Sequence, residues 1–558
     1  MSKEAIKLKW DFNYRKQPTS EINHDELTVS PSTWRAEQLQ DPISVFVDIH
    51  NLLEVLTESG NLQLNGLRGT GKTIFFLNAQ YKLGQNALKT YKNRKLSAYV
   101  DLYNIEPPRV ISSPHVRAEH LYREIIKVIL EGMGTSHGTL RYYCLKDFTK
   151  NLNWWNKRRT NKAINNLRDY VKGLGDKLAT DREYKQILEQ EQGVDYRLSS
   201  EFSASSLKGV KGKTGIASSI SDRLVDAFTG IERGLYSAVP KTVSEKFEKL
   251  LNALKADKFI IYLDEFSGLS APRDIQPILI DRLLRTFDST RISIKISTVT
   301  GATFLSTGEH DGASIDKRLL FVDIDMLTQK DPNKVKTGNF EIFLRNLAAK
   351  EPKVKRYLHD EKNLEESFNS FVSNYFESKI DFDEFMKAGE GVPRQLLETF
   401  VKAYDYRRRR NPYSKITRQD IWYAVQENYR HIFETQVKNI DQSRYIIGRI
   451  NKVESRVFNL EMVPKFIDPT DKLTDLGVIR ACPANTVFNS EFSAHPFAYY
   501  YTSYPVEVAR QFTKSKESIK KEIQLQIEDM TYITSSDLIR LYPKAQYVLL
   551  SEQVPNKS

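Results

Sequence analysis

Hydrophobic positions along the chain follow two periods, and the switch between them marks out its elements. Across 44–58, Val45, Val47, Ile49, Leu52, Leu53 and Leu56 form a stripe that predicts a helix ending before Gly60. Leu62 and Leu64 then alternate as a short strand, and Ile74, Phe75, Phe76 and Leu77 open a helix after a glycine-rich turn. Residues 95–103 predict a second strand, with a helix behind it over 116–130 carried by Leu121, Ile125, Ile126 and Ile129. The pattern resumes at 258–265, where five apolar or aromatic residues, Phe259 to Leu263, predict a strand buried on both faces. Ile292, Ile294 and Ile296 alternate within 291–300, and 319–324 reads as a further strand. Strands alternating with helices predict an α/β fold, a mainly parallel sheet with helices on both faces.

From about residue 340 the period turns helical, with Phe340, Ile342, Phe343, Leu344 and Leu347, and later Phe368, Phe371, Tyr375 and Phe376. Pro393 announces a helix whose Leu396, Leu397, Phe400 and Val401 face inward. Thr417 and Asp420, with Ile416 against Ile421, give a capping signature for the next helix, continued by Trp422, Val425, Tyr429, Ile432 and Phe433. Beyond it, 473–480 with a turn at Gly477, then an aromatic strand over 497–504, have the order of a winged helix. Residues 514–550 read as charged helix closing in a short strand. The division this predicts is an irregular arm at 1–40, an α/β core at 41–330, a helical lid at 331–435 and a winged-helix-like domain at 436–558. An insert at about 131–245 interrupts the core: it holds Trp154 and Trp155 beside Lys157, Arg158 and Arg159, and then a polar Ser- and Gly-rich stretch. The Trp pair suits either base stacking or packing within an inserted helix.

The turn after Leu64 carries the sharpest chemistry. Gly66, Leu67, Arg68, Gly69, Thr70, Gly71, Lys72 and Thr73 fit G-x-x-x-x-G-K-T between a strand and a helix, the context of a phosphate loop. Its glycines let backbone N–H groups turn inward around an anion, and the helix adds its positive end. Lys72 is expected to reach the β- and γ-phosphates of a nucleoside triphosphate, and the Thr73 hydroxyl to ligate Mg²⁺. Gly212-Lys213-Thr214 imitates the motif, but Gly209 lies too close and no strand leads in. The strand ending in Asp264 and Glu265 delivers adjacent carboxylates, suited to the Mg²⁺ shell and to accepting a proton from attacking water. Thr298 or Thr300, at the end of the following strand, is expected to sense the γ-phosphate. Arg394 starts a helix, where it either swings towards a phosphate or pairs with Glu398 one turn on.

Composition narrows this picture modestly. The 558 residues carry a net charge of +12, which leans towards polyanionic partners but also describes a solvated basic surface. Arg407 to Arg410 form a run that suits a phosphate backbone or plain solvation. Cys144 and Cys482 are too few for a disulfide framework or a zinc site, and nine scattered histidines give no metal spacing. With no apolar leader and no long apolar run, the expectation is a cytoplasmic protein without membrane contact.

Taken together, the phosphate loop, Asp264 with Glu265, Thr298 or Thr300, an arginine before a strand at Arg318, and Gly391-Val392-Pro393-Arg394 resemble a AAA+ ATPase. The resemblance is nearest to the origin-recognition and replication-initiator branch, with related signal-transduction ATPases also fitting, and covers about 40–435. It implies ATP and Mg²⁺ as cofactors, hydrolysis, and a winged helix that binds duplex DNA. By position it makes Arg394 the lid arginine that senses the γ-phosphate within the subunit. Arg318 becomes the arginine offered to a neighbouring subunit's nucleotide, with a homo-oligomer as corollary. The stretch between Lys72 and Asp264 is far longer than a minimal member needs. A regulatory switch or scaffold acting on protein partners, without DNA, is the rival reading.

Overall fold

In the computed structural model the described residues are 44–89, 94–105, 114–132, parts of 154–169, 241–267, most of 271–299, 303, 319–324, 332–358, 364–437, 440–453, 456–481, most of 489–508 and 545–550. The arm at 1–40, the decoy Gly212-Lys213-Thr214, and most of the insert lie outside them.

Five strands form one parallel sheet: β1 (Leu62–Asn65), β2 (Arg94–Asp101), β3 (Ala256–Phe266), β4 (Ile292–Thr298) and β5 (Leu320–Asp323), in the order β2-β3-β4-β1-β5. Period two divides each strand between two cores. On one face, Leu62, Leu64, Tyr99, Ile260 and Tyr262 pack with α1 (Leu52–Thr57) and α2 (Lys72–Lys89). On the other, Leu96, Ala98, Phe259, Ile261, Leu263 and Ile294 meet α3 (Pro114–Gly132), α4 (241–254) and α5 (Gln276–Thr286). This two-sided burial is why β3 reads as an unbroken apolar run. The fold is therefore α/β, a mainly parallel sheet with helices on both faces, as its strand and helix periods predict.

The first helix is shorter than its stripe. Residues 44–51 take turns and extended backbone, and α1 begins only at Leu52. Asp48 causes the break, its two carboxylate oxygens accepting the N–H groups of Leu52 and Leu53 at 2.8 and 3.0 Å. Val45 and Val47 are thereby freed from the helix and line the cleft described below. At the other end of α1, the sheet caps the last carbonyls: Tyr262 Oη donates to Leu56 O and Lys295 Nζ to Val55 O.

After β5 comes a helical layer with its own core: α6 (Pro332–Lys350), α7 (Leu364–Tyr375), α8 (Lys379–Gly389), α9 (Pro393–Arg410) and α10 (Arg418–Ile432). Its core is aromatic, with Phe340, Phe343, Phe371, Phe385 and Phe400 in mutual ring contact at centroid separations of 5.2 to 6.0 Å. At the start of α10, the Thr417 N–H and hydroxyl both donate to Asp420 Oδ2, closing the capping signature.

The C-terminal part has its own core around α11 (Asp441–Ile450), α12 (Ile467–Asp475) and a second sheet ordered β7-β8-β6-β9. These strands are β6 (Val457–Glu461), β7 (Ile479–Ala481), β8 (Phe497–Thr502) and β9 (Gln546–Val548). Helix α12, a left-handed Gly477 at φ 69°, and antiparallel β7 and β8 give the helix, turn and wing order expected of this region, widened by β6 and β9. Among the described residues no helix is long and apolar enough to cross a membrane.

Candidate nucleotide site

The loop from β1 to α2 lies at the carboxyl ends of the parallel strands, where α/β sheets hold ligands. Gly69 and Gly71 both have φ of +90°, a conformation that costs any residue with a Cβ. Lys72 is buried, and its Nζ donates to the Gly66 and Leu67 carbonyls at 2.6 and 2.8 Å. Thr70 Oγ1 donates to Leu67 O at 2.9 Å, so the loop closes on its own side chains. Helix α2 begins at Lys72, and Thr73 follows in its first turn facing the same cleft.

From across the sheet β3 delivers the two acids. Asp264, 1% exposed, accepts Tyr99 Oη at 2.8 Å on Oδ2, and on Oδ1 the Glu265 N–H at 3.0 Å and the Ser297 hydroxyl. Three donors therefore orient a buried carboxylate. Between Leu263 and Phe266 the pairing of β3 with β4 shifts register, and Glu265 takes φ 57°, in the left-handed region. The bulge turns its side chain towards the loop, where Glu265 Oε2 meets Arg68 Nη2 at 3.1 Å.

The lid supplies the third wall. A Cβ built on Gly69 would meet Val392 Cγ1 at 2.9 Å and Arg394 Cβ at 3.2 Å, so the loop's tip rests on the first turn of α9. Asn339 of α6 anchors the same turn by donating to Gly391 O at 3.1 Å. Glu398, the alternative partner considered for Arg394, has its carboxyl raised above the ordinary range by burial, with Arg394, Lys402 and His431 pulling it back.

These parts line a common cleft. Residues 68–75, Asp264, Glu265, Val299, Pro393 and Arg394 line it together with Val45, Phe46, Val47, Ile342, Asn346 and Leu397, so its wall mixes charged and apolar groups. Lys72 and Asp264, far apart in sequence, thus share a single wall system. Sequence reasoning missed the part that Val45, Phe46 and Val47 take in lining the cleft. Its signal was Asp48, a helix cap that excludes Val45 and Val47 from α1.

Other expected site residues fall elsewhere. Thr298 lies on the opposite face of the sheet from Asp264, accepting Gln63 Nε2 and donating to Asn65 Oδ1, both at 3.1 Å. This corrects its expected role: strand alternation puts Ser297, not Thr298, on the acid's face. Thr300 and Arg318 lie outside the described residues. In the arginine run, Arg407 is 3% exposed, stacked on Tyr404 and donating to Pro412 O and to Ser414 O at 3.0 Å. Arg410 pairs with Asp420 at 2.8 Å. Trp154 and Trp155 are both well exposed, edge to face, with Arg158 over the first ring.

No family model and no curated protein matches the chain. Among solved structures it is similar to the Aeropyrum pernix ORC1 protein in complex with DNA, at 13% identity and a TM-score of 0.34, over 86% of this chain and 98% of that one. It is similar also to the Aeropyrum pernix ORC2 protein in ADPNP–ADP complexes, at 12% identity and a TM-score of 0.32, over 91% and 99% of the two chains. Cdc6p from Pyrobaculum aerophilum aligns at 10% identity and a TM-score of 0.27, over 90% and 98%. At that distance it is the cleft's own geometry that bears on function.

Proposed function

We propose that the chain binds and hydrolyses Mg²⁺-ATP in this cleft and uses nucleotide-driven movement of the lid to control contact with nucleic acid, DNA in particular. One observation carries the nucleotide part: loop residues 68–73, the acids at 264–265 and the lid arginine at 394 meet around one cavity whose wall also includes apolar side chains. The residues suit a magnesium nucleotide. Thr73 offers a hydroxyl and Asp264 an oriented carboxylate, while among the described residues no cluster of three acidic, His or Cys side chains holds a metal alone. Bound Mg²⁺ would supply charge neutralisation to the phosphates.

Lys72 has two carbonyls to leave and a β- or γ-phosphate to gain, an exchange that favours the doubly charged partner. Glu265 accepts the proton of the attacking water, and positioning with charge neutralisation supplies most of the rate. Arg394 answers the γ-phosphate from the lid. Movement passes onward because Glu390, four residues before it, pairs with Arg456 and Arg480 of the C-terminal part at 2.9 and 2.6 Å. Arg318 would serve a neighbouring subunit, and the mass of the particle with and without a slowly hydrolysed ATP analogue tests that assembly.

Equilibrium binding of a fluorescent ATP analogue tests the site: Lys72→Ala should abolish it, and unchanged binding would refute the assignment. For nucleic acid, Arg408 and Arg409 remain outward at the end of α9, beside Tyr413 at 80% exposed. Replacing both with alanine should reduce the salt slope of duplex binding by about 2. A second reading, a switch acting through protein partners, is favoured by the internal commitments of Arg407 and Arg410. Absence of salt-sensitive duplex binding with or without ATP would select it.

A further inference from the structure

Arg68 and Glu265 are 197 residues apart, yet one guanidinium nitrogen donates to the carboxylate at 3.1 Å. Neither motif requires this pair: position 68 is a variable place in the phosphate loop, and Glu265 is the proposed base. Three features make the contact a device for placing Glu265. Its backbone is fixed, because φ is 57° and its N–H is held by both Asp264 Oδ1 and Ser297 Oγ at 3.0 Å, leaving only side-chain torsions free. Arg68 Nε is buried without a hydrogen-bond partner among the described residues, so the guanidinium keeps donors to spare. Both side chains are about a quarter exposed, at 28% and 26%. A single-bonded ion pair at that depth is weak enough to exchange and strong enough to bias a carboxylate.

The exchange partner follows from charge. The contact lies beside Asp264, at the cleft end shared with Gly69 and Arg394, where the last phosphate of a triphosphate would project. A terminal phosphate carries more charge than a carboxylate and offers three oxygens to a forked guanidinium with spare donors. We infer that Arg68 is a positioning residue for Glu265: its guanidinium holds the carboxylate aside, and a γ-phosphate draws it off and so frees Glu265 to face water. ADP lacks that phosphate and leaves the pair in place. The inference rests on reading the cleft as an ATP site.

Equilibrium binding by wild type, Arg68→Ala, Glu265→Gln and the double variant, with a labelled non-hydrolysable ATP analogue and labelled ADP, separates the possibilities. Glu265→Gln should release Arg68 and tighten the analogue about three- to tenfold in wild type, with no gain in the Arg68→Ala background. Arg68→Ala should weaken the analogue more than ADP, and Arg68→Lys should restore most of that discrimination. An equal gain from Glu265→Gln in both backgrounds, or equal loss of both nucleotides in Arg68→Ala, overturns the inference while leaving the ATP site intact. Failure of all four to bind either nucleotide removes the site itself and the inference with it.

Discussion

The Tyr99 phenol donates to Asp264 Oδ2 at 2.8 Å, tying the edge strand β2 to β3 at the level of the cleft. Removing that donor leaves the acid's other oxygen held by Ser297 and Glu265 N–H but its plane less fixed. Tyr99→Phe should weaken Mg²⁺-dependent nucleotide binding by about tenfold and leave binding in chelator nearly unchanged. Titration of a fluorescent nucleotide with and without Mg²⁺ measures both; equal loss in the two conditions would assign Tyr99 to packing alone.

Gly69→Ala meets two obstacles at once, a φ of +90° and Val392 Cγ1 at 2.9 Å. The conformational cost alone is about 1–2 kcal/mol. The loop must shift away from α9, so nucleotide affinity should fall at least about tenfold. Isothermal titration checks this, with Gly60→Ala as a comparison: Gly60 also has positive φ but no atom within 4 Å of its added Cβ.

Lys295 is 2% exposed and burial pulls its ammonium down to about 8, with Glu58 opposing and Lys95 reinforcing. Its folded value lies below its unfolded one, so between about pH 8 and 10.5 the unfolded chain binds more protons. Stability should therefore rise with pH across that window from this group, not fall. Chemical unfolding at pH 7.5 and 9.5, compared with Lys295→Met, isolates the contribution; the variant should lose that part of the slope.

Glu390 sits in a left-handed turn at φ 44°, accepts the Tyr504 N–H at 2.5 Å, and pairs with Arg456 and Arg480. Glu390→Ala removes the carboxylate that two largely buried guanidinium groups share, a loss on the order of 3–5 kcal/mol. Urea unfolding should show the C-terminal transition separating from that of the lid. A single unchanged transition would deny Glu390 this joining role.

The parts of the site that the sequence disclosed are those with local rules. The loop's glycines and lysine, the acids closing β3, and Pro393 before Arg394 each announce themselves within a few residues. What stayed hidden depends on distance or on phase. Tyr99 with Asp264, and Arg68 with Glu265, are pairs of remote positions that no local pattern links. Thr298 was misplaced by one residue of strand phase, enough to move a hydroxyl through the sheet. Val45 and Val47 resembled part of a helix because Leu52 and Leu56 continue their spacing, and only the Asp48 cap separates them. The arginine run looked uniform, whereas the helical period turns Arg407 inward beneath Tyr404.

Helix α9 has 18 residues, so it spans roughly 27 Å. Its second residue, Arg394, reaches the cleft, and its last, Arg410, is tied to Asp420 at the head of α10. If the cleft holds the proposed nucleotide, such a rod would work as a lever whose short arm is a single turn there. A swing of about 10° there sweeps the opposite end through roughly 5 Å, about one helical pitch. Under the proposed function, a small displacement at one phosphate would become a stroke large enough to expose or hide a side chain at the Arg410 end.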